Sequence, residues 1–349
     1  VIRGNLNEFP VMQMPSAVGY ISDLEKQNIN PISYMENLNS ISGIHAHTGT
    51  LNTNRITIRG IGSRTPYGTN RIKAYYNGIP LTSGDGSTEI EDISASLIGS
   101  VEVLKGSKSA LYGSGLGGVI VLNKPTYRNG LHGFAGISAG SYQTMTYEAG
   151  IQYRKNGFYS GINYTNAASD GWRENSTYQR QNVWVNTGFI HAKSQLDFSL
   201  LVIDTRAEIP SSLNKQDFEN NPQSAAQNWL EVEGFEEYTK YITGLKFTHT
   251  FTEKITNSTN LFLHIYDGLE SRPFNILDDA SLSWGIRNIT TVTFSGFKLQ
   301  AGFESLMENY EWEIYETLDG EQGILENKFS ENRTPLSVFL NGQYTFSSH

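Results

Sequence analysis

The chain has 349 residues, no cysteine and a formal net charge of −9, so it has length for two domains, offers no disulfide or thiol ligand, and argues against a nucleic-acid partner. Glycine (34), tyrosine (19) and phenylalanine (17) abound, while only 17% of residues are charged. Mean hydropathy is −0.38 and no apolar run reaches the ~18–20 residues of a spanning helix; a soluble all-β protein and a membrane barrel, in which only alternate residues face lipid, both fit.

No secretory signal is visible at Val1, so the numbering is expected to start inside a processed or trimmed chain. The first ~125 residues read as mixed α/β, with helical stretches near Ser22–Gln27 and Ser33–Leu38. Ile56-Thr-Ile-Arg-Gly60 and Ala74-Tyr-Tyr-Asn-Gly-Ile-Pro80 are strands running into glycine turns. The densest signal is 101–125, VEVLKGSKSALYGSGLGGVIVLNKP. It reads as strand, tight turn, short helix, glycine hinge and strand, with Gly113, Gly115, Gly117 and Gly118 supplying positive φ and room for close backbone approach.

With the Pro15-Ser-Ala-Val18 opening and the Leu38-Asn-Ser-Ile-Ser-Gly43 turn, the order and spacing of these pieces resemble the plug of TonB-dependent outer-membrane receptors over about residues 8–125. Gly113-Ser-Gly-Leu-Gly-Gly118 is not a dinucleotide loop, because a strand rather than a helix follows and the downstream acidic residue is missing. Asp85-Gly-Ser-Thr-Glu-Ile-Glu-Asp92 lacks the spacing of a calcium loop and reads as a solvated apical loop. No nucleophile–base pair, paired carboxylate or cofactor motif stands out, so neither an enzyme nor a bound cofactor is expected.

After Lys124-Pro125 the character changes to alternating segments. Strands are predicted near 132–141, 144–154, 158–166, 179–190, 195–205, 238–251, 255–267, 282–294, 297–309 and 335–347. Alternation alone would suit a sandwich as well as a barrel. The connections favour the barrel: short turns at Lys155–Gly157, His191–Ser194, Thr252–Lys254 and Ser295-Gly296 alternate with long ones at Ala167–Tyr178, Arg206–Glu237, Gly268–Ser281 and Tyr310–Thr334. Tyr147, Ile151, Leu245, Phe247, Leu299, Phe303, Val338 and Leu340 are assigned to lipid, and Glu148, Gln152, Lys298, Gln300 and Glu304 to the lumen.

The expected fold is therefore a transmembrane all-β barrel with a mixed α/β plug in its lumen, the plug at 1–127 and the barrel portion at 128–349. Plugged transporters have about 22 strands and about ten are readable here. A truncated chain, or a second polypeptide completing the wall, is expected, since lipid does not tolerate open edges. Detergent-dependent solubility would separate this reading from a β-rich surface adhesin.

The resemblance implies function and sites. It implies import of a scarce nutrient, by default a ferric siderophore or other iron chelate, with cobalamin, haem and oligosaccharide as alternatives. TonB with ExbB–ExbD is the periplasmic partner, and Val1-Ile2 is read as a remnant of the coupling box. His47, Arg64, Tyr67 and Asp85 are the candidate substrate contacts on apical plug loops; His45 and His47, two apart on one strand, share a face. Direct metal ligation is not expected of them. Arg59 and Lys105 are the candidate plug–barrel latch, with Lys105 lacking the guanidinium fork more usual there. The Arg206–Glu237 loop is read as an extracellular gate.

Overall fold

The computed structural model describes residues 17–22, 30, 32–65, 68–83, 87–106, 109–113 and 115–344. Val1-Ile2, most of the helix predicted at Ser22–Gln27, and the candidate contacts Tyr67 and Asp85 lie outside these residues.

The N-terminal part runs β1 (Val18–Ile21), α1 (Met35–Leu38), β2 (Ile44–Thr50), β3 (Thr53–Ile58), β4 (Ile72–Tyr76), β5 (Ile79–Pro80), β6 (Ser100–Lys105), α2 (Ser109–Tyr112) and β7 (Gly118–Asn123). Five strands form a mixed sheet in the order β1-β6-β7-β4-β5, and β2 and β3 make a separate hairpin. The Val119–Leu122 run is buried on both faces, as a central strand needs, and pairs parallel with β4 and antiparallel with β6. Asn77-Gly78 holds positive φ at both residues, the geometry of a two-residue type I′ hairpin between β4 and β5.

The remainder is one antiparallel sheet of β8 (Gly130–Ala139), β9 (Met145–Lys155), β10 (Phe158–Ser169), β11 (Tyr178–His191), β12 (Ser194–Glu208), then the short helices α3 (Lys215–Asn220) and α4 (Gln227–Glu231), and β13 (Phe235–Thr252), β14 (Ile255–Ser271), β15 (Ile276–Phe294), β16 (Phe297–Leu318), β17 (Glu321–Arg333) and β18 (Leu336–Tyr344). β17 and β18 occupy one strand position. β17 pairs with the far half of β16 and β18 with its near half, the two meeting at Thr334-Pro335. Pro335 has no N–H to give the ladder, so the strand is interrupted there.

Two loops expected from the sequence are corrected. Tyr310–Thr334 is mostly strand, turned back by Asp319-Gly320 with positive φ at both residues, and the Gly268–Ser281 connection shrinks to 272–275 between the ends of β14 and β15. The four connections at one end, 156–157, 192–193, 253–254 and 295–296, are all tight turns. At the opposite end only 209–234 is a long excursion. Height there comes from strand length instead: β16 has 22 residues against 10 in β8.

The alternation sorts the two faces as expected. Ile151, Leu245, Phe247, Phe303, Val338 and Leu340 are exposed outward, whereas Gln300 and Glu304 are buried against the lumen side. In cross-strand register, one row of inward residues runs Arg154, Tyr159, Gly188, Asp197, Lys246, Asn260, Arg287, Glu304, Ser337. The mixed sheet is bound to this row. Lys124 pairs with Asp197, and Asn77 Nδ2 donates to Asp197 Oδ1 at 2.9 Å. Tyr75 donates to Glu304 at 3.0 Å, and Arg287, itself paired with Glu304, donates to the Leu111 carbonyl at 2.6 Å. One step up the wall, glycines let the plug close in: a Cβ on Gly161 would lie 2.7 Å from the Tyr127 ring. Trp184 stacks on the same ring at 6.4 Å and is 1% exposed.

Candidate ligand-binding cavity

A cavity of about 900 Å³ lies between the β2–β3 hairpin and the end of the wall that carries the long excursion. The hairpin is there because its strands are amphipathic. Ile44, Ala46, Ile56 and Ile58 turn into the plug core, leaving the alternate residues of β2, His45 and His47 among them, outward. His45 and His47 accordingly share the free face, their rings 6.2 Å apart, and His47 lines the cavity. Asn52, at positive φ in the hairpin turn, clips the tip to β13. Its Nδ2 donates to Glu236 at 3.0 Å, and its Oδ1 lies 3.0 Å from the Tyr238 hydroxyl.

The floor is the plug segment carrying Glu89, Glu91 and Asp92. Lys240 of β13 pairs with Glu89 and with Asp92, the latter at 2.8 Å, and Tyr238 donates to Asp92 at 2.6 Å. Burial works to raise Asp92, but Lys240, the Tyr238 hydrogen bond and Arg180 outweigh it and hold the carboxyl below its ordinary value. Glu91 goes the other way. Burial first, and the neighbouring Asp92 charge second, push it up to about 8. Arg180 donates to the Glu91 carbonyl and, at 3.0 Å, to the Ile32 carbonyl, fixing the segment to β11.

The upper wall is aromatic and polar. Trp229 of α4 and Phe274 meet edge to face at 6.3 Å, beside the Arg272–Glu270 ion pair. Arg173 spends its guanidinium on the loop carbonyls, donating to Ser211 (2.6 Å), Ser224 (2.8 Å) and Pro210 (3.2 Å). The 209–234 excursion is therefore tied down over the cavity by bonds from the 170–177 connection.

The candidate contacts do not all meet. Arg64 is exposed and lines a separate depression of about 340 Å³ formed by 60–65 and 70–71. Arg59 sits at positive φ after β3, close to Gly106, and Lys105 donates to the Ser42 carbonyl at 2.6 Å. Burial, then the Arg59 charge, lower the Lys105 ammonium below its ordinary value. Among the described residues the ion pairs from plug to wall run instead through Lys73, Glu89, Asp92 and Lys124. Glu91, expected within a solvated apical loop, is buried here, and it lines the cavity with Trp229 and Glu236 of the segment read as a gate; Arg55, Arg173, Glu270 and Arg272 line it without any motif having announced them.

Residues 10–119 match the family described as TonB-dependent Receptor Plug Domain. Among solved structures, the chain is similar to FpvA of P. aeruginosa bound to a heterologous ferric pyoverdine, at 14% identity and TM-score 0.78, over 96% of this chain and 50% of that one. It is also similar to the unliganded ferric citrate transporter FecA, at 16% identity and TM-score 0.73, over 95% and 52%. The copper transporter OprC gives 14% identity and TM-score 0.75, over 94% and 52%. Identities this low establish the fold alone, and the chain spans about half the length of these structures. Residues 10–119 therefore match a TonB-dependent receptor plug domain, and the chain as a whole has the fold of such a plug with part of a barrel wall.

Proposed function

We propose that this protein takes up a scarce nutrient across a bacterial outer membrane, residues 1–127 acting as the plug and 128–349 as part of the barrel wall. The cargo proposed is a ferric siderophore or other iron chelate, and the drive is contact with TonB, energised by ExbB–ExbD. The observation that carries this is the 900 Å³ cavity held between the plug hairpin and the long-excursion end of the wall, above a lumen the plug fills. Such a cavity binds from outside while the plug bars free diffusion. The ferric pyoverdine complex of FpvA and the ferric citrate transporter FecA, similar in fold, support the choice of an iron chelate.

In this reading His47 touches cargo, with Arg64, Tyr67 and Asp85 as further apical contacts and Arg59 and Lys105 as a latch. Cells expressing the receptor are given radioiron chelates with and without TonB. Saturable binding in both, with accumulation only in the presence of TonB, is expected. Binding of none of them, or uptake indifferent to TonB, overturns the proposal.

A further inference from the structure

Below the outer cavity lies a second one, of about 270 Å³, between plug residues Leu81, Thr82, Ser83, Ser87, Glu89 and Asp92 and strands β13–β17. The two share Glu89 and Asp92 in their linings, and Lys240, which lines the inner one, binds both carboxylates. This trio is the partition between them.

Along β10 and β11 the plug and wall are in direct contact. Ser94 meets Thr165 at 2.7 Å and is bonded to Asn182. Tyr127 is stacked between Tyr159 and Trp184. Along β13–β15, by contrast, polar side chains face open space: Tyr266, Asp279, Ser281 and Ser283 line it, with Glu308 beyond. Among them His264 Nε2 is fully buried and has no hydrogen-bond partner. A buried ring nitrogen left free on a cavity wall is a position for a ligand or water to occupy.

Resting on the import reading above, we propose that the inner cavity is a transit subsite for the cargo, entered from the outer cavity when the Lys240–Glu89–Asp92 partition parts. Its lining sets the hydroxyls of Tyr266, Ser281 and Ser283 and the acceptor carboxylates beside Leu81 and Leu306, which fits a narrow portion of a ligand that donates hydrogen bonds, and its size excludes a whole large chelate. The contact between Glu89 and Lys240 is suited to parting because the Glu89 side chain is 52% exposed, so separation moves one carboxylate into water at small cost. Lys240 and Asp92 remain paired behind it and keep the plug segment in place.

These 349 residues hold no cysteine, so within them a Ser283→Cys variant carries one thiol, inside the inner cavity, and labelling is followed on the peptide that holds residue 283. A small membrane-impermeant methanethiosulfonate reagent is applied outside intact cells and the labelling rate is read by mass. Labelling is expected to be slow with the trio intact. It is expected to be about threefold to fivefold faster with Glu89→Gln, the scale of one exposed ion pair, and faster still with Lys240→Met, which also frees Asp92. Glu89→Gln keeps the test open if Lys240→Met fails to assemble. Equal rates in all three, or no labelling in any, overturns the proposal. Uptake of radioiron-loaded citrate and hydroxamate chelates by the same cells is scored separately. Gated labelling without TonB-dependent uptake would sink the import reading while leaving the partition standing. Normal binding and uptake after the thiol is blocked would remove the cavity from the route.

Discussion

Arg287 is the place where the wall's grip on the plug is most open to measurement. Its side chain is 4% exposed, pairs with Glu304, donates to the Leu111 carbonyl, and lies 5.0 and 4.9 Å from the Tyr75 and Tyr112 rings. Arg287→Met strands a carboxylate that is itself nearly enclosed, a change that costs about 3–5 kcal/mol. Lys73, 3.9 Å from Glu304, offsets part of this and puts the expectation near the lower end. At ~1.4 kcal/mol per tenfold, ~3 kcal/mol speeds opening of the plug roughly a hundredfold. Hydrogen exchange of backbone amides in 100–123 reads this directly in the membrane-embedded protein. Adding Glu304→Gln removes the stranded charge while keeping an acceptor for Tyr75, so the double variant is expected to regain ~2 kcal/mol. A single variant costing under ~1 kcal/mol, or strictly additive effects, would refute the view that these charges hold the plug as a unit.

Glu91, pushed up to about 8 from an ordinary 4.5, stays protonated in the folded plug over a range where the unfolded chain ionises. Its contribution is therefore full below pH 4.5 and falls as pH rises through 8, by about 1.4 kcal/mol per unit. Urea unfolding at pH 5 and 8 checks this, with Glu91→Gln flattening the difference and a stability that rises over the window contradicting it. Gly161→Ala drives a methyl against the Tyr127 ring and is expected to cost ~1–3 kcal/mol of plug docking, seen as faster proteolysis of the plug with the wall intact. Leu261, 48% exposed on the outer face of β14, tests the lipid assignment: Leu261→Arg is expected to lose ~2–4 kcal/mol of barrel stability, and a neutral result would place that face away from lipid.

The wall was legible in the sequence wherever one face meets lipid, because there a period of two is imposed from outside. It stopped being legible where strands rise past the bilayer. Over Tyr310–Arg333 acids such as Glu311, Glu313 and Glu326 stand on the rising and returning strands, and with water outside no face needs to be apolar. The Asp319-Gly320 dipeptide was the available hairpin signal, outweighed by the surrounding charge. The plug's order was readable from its glycine turns and buried runs. Its cavity was not, because Asn52, Asp92, Arg173, Glu236 and Arg272 come together through register alone. His47 was reachable from strand geometry, whereas Lys240 and Asp92, far apart in sequence, meet only when the plug sits in the wall.

Building the outer rim from paired strands has a consequence for how such a protein diversifies. Where β16 and β17 run side by side to Asp319-Gly320, an inserted residue must be matched across the ladder or taken up as a bulge, as already happens between Ile314/Tyr315 and Tyr315/Thr317. Length changes there must keep the inward and outward rows in place on both sides of such a bulge. The 209–234 excursion carries no such bookkeeping and can absorb residues singly. If the import reading holds, new cargo preferences should therefore arise first by drift in that excursion, under a rim whose height changes only in matched or bulged steps.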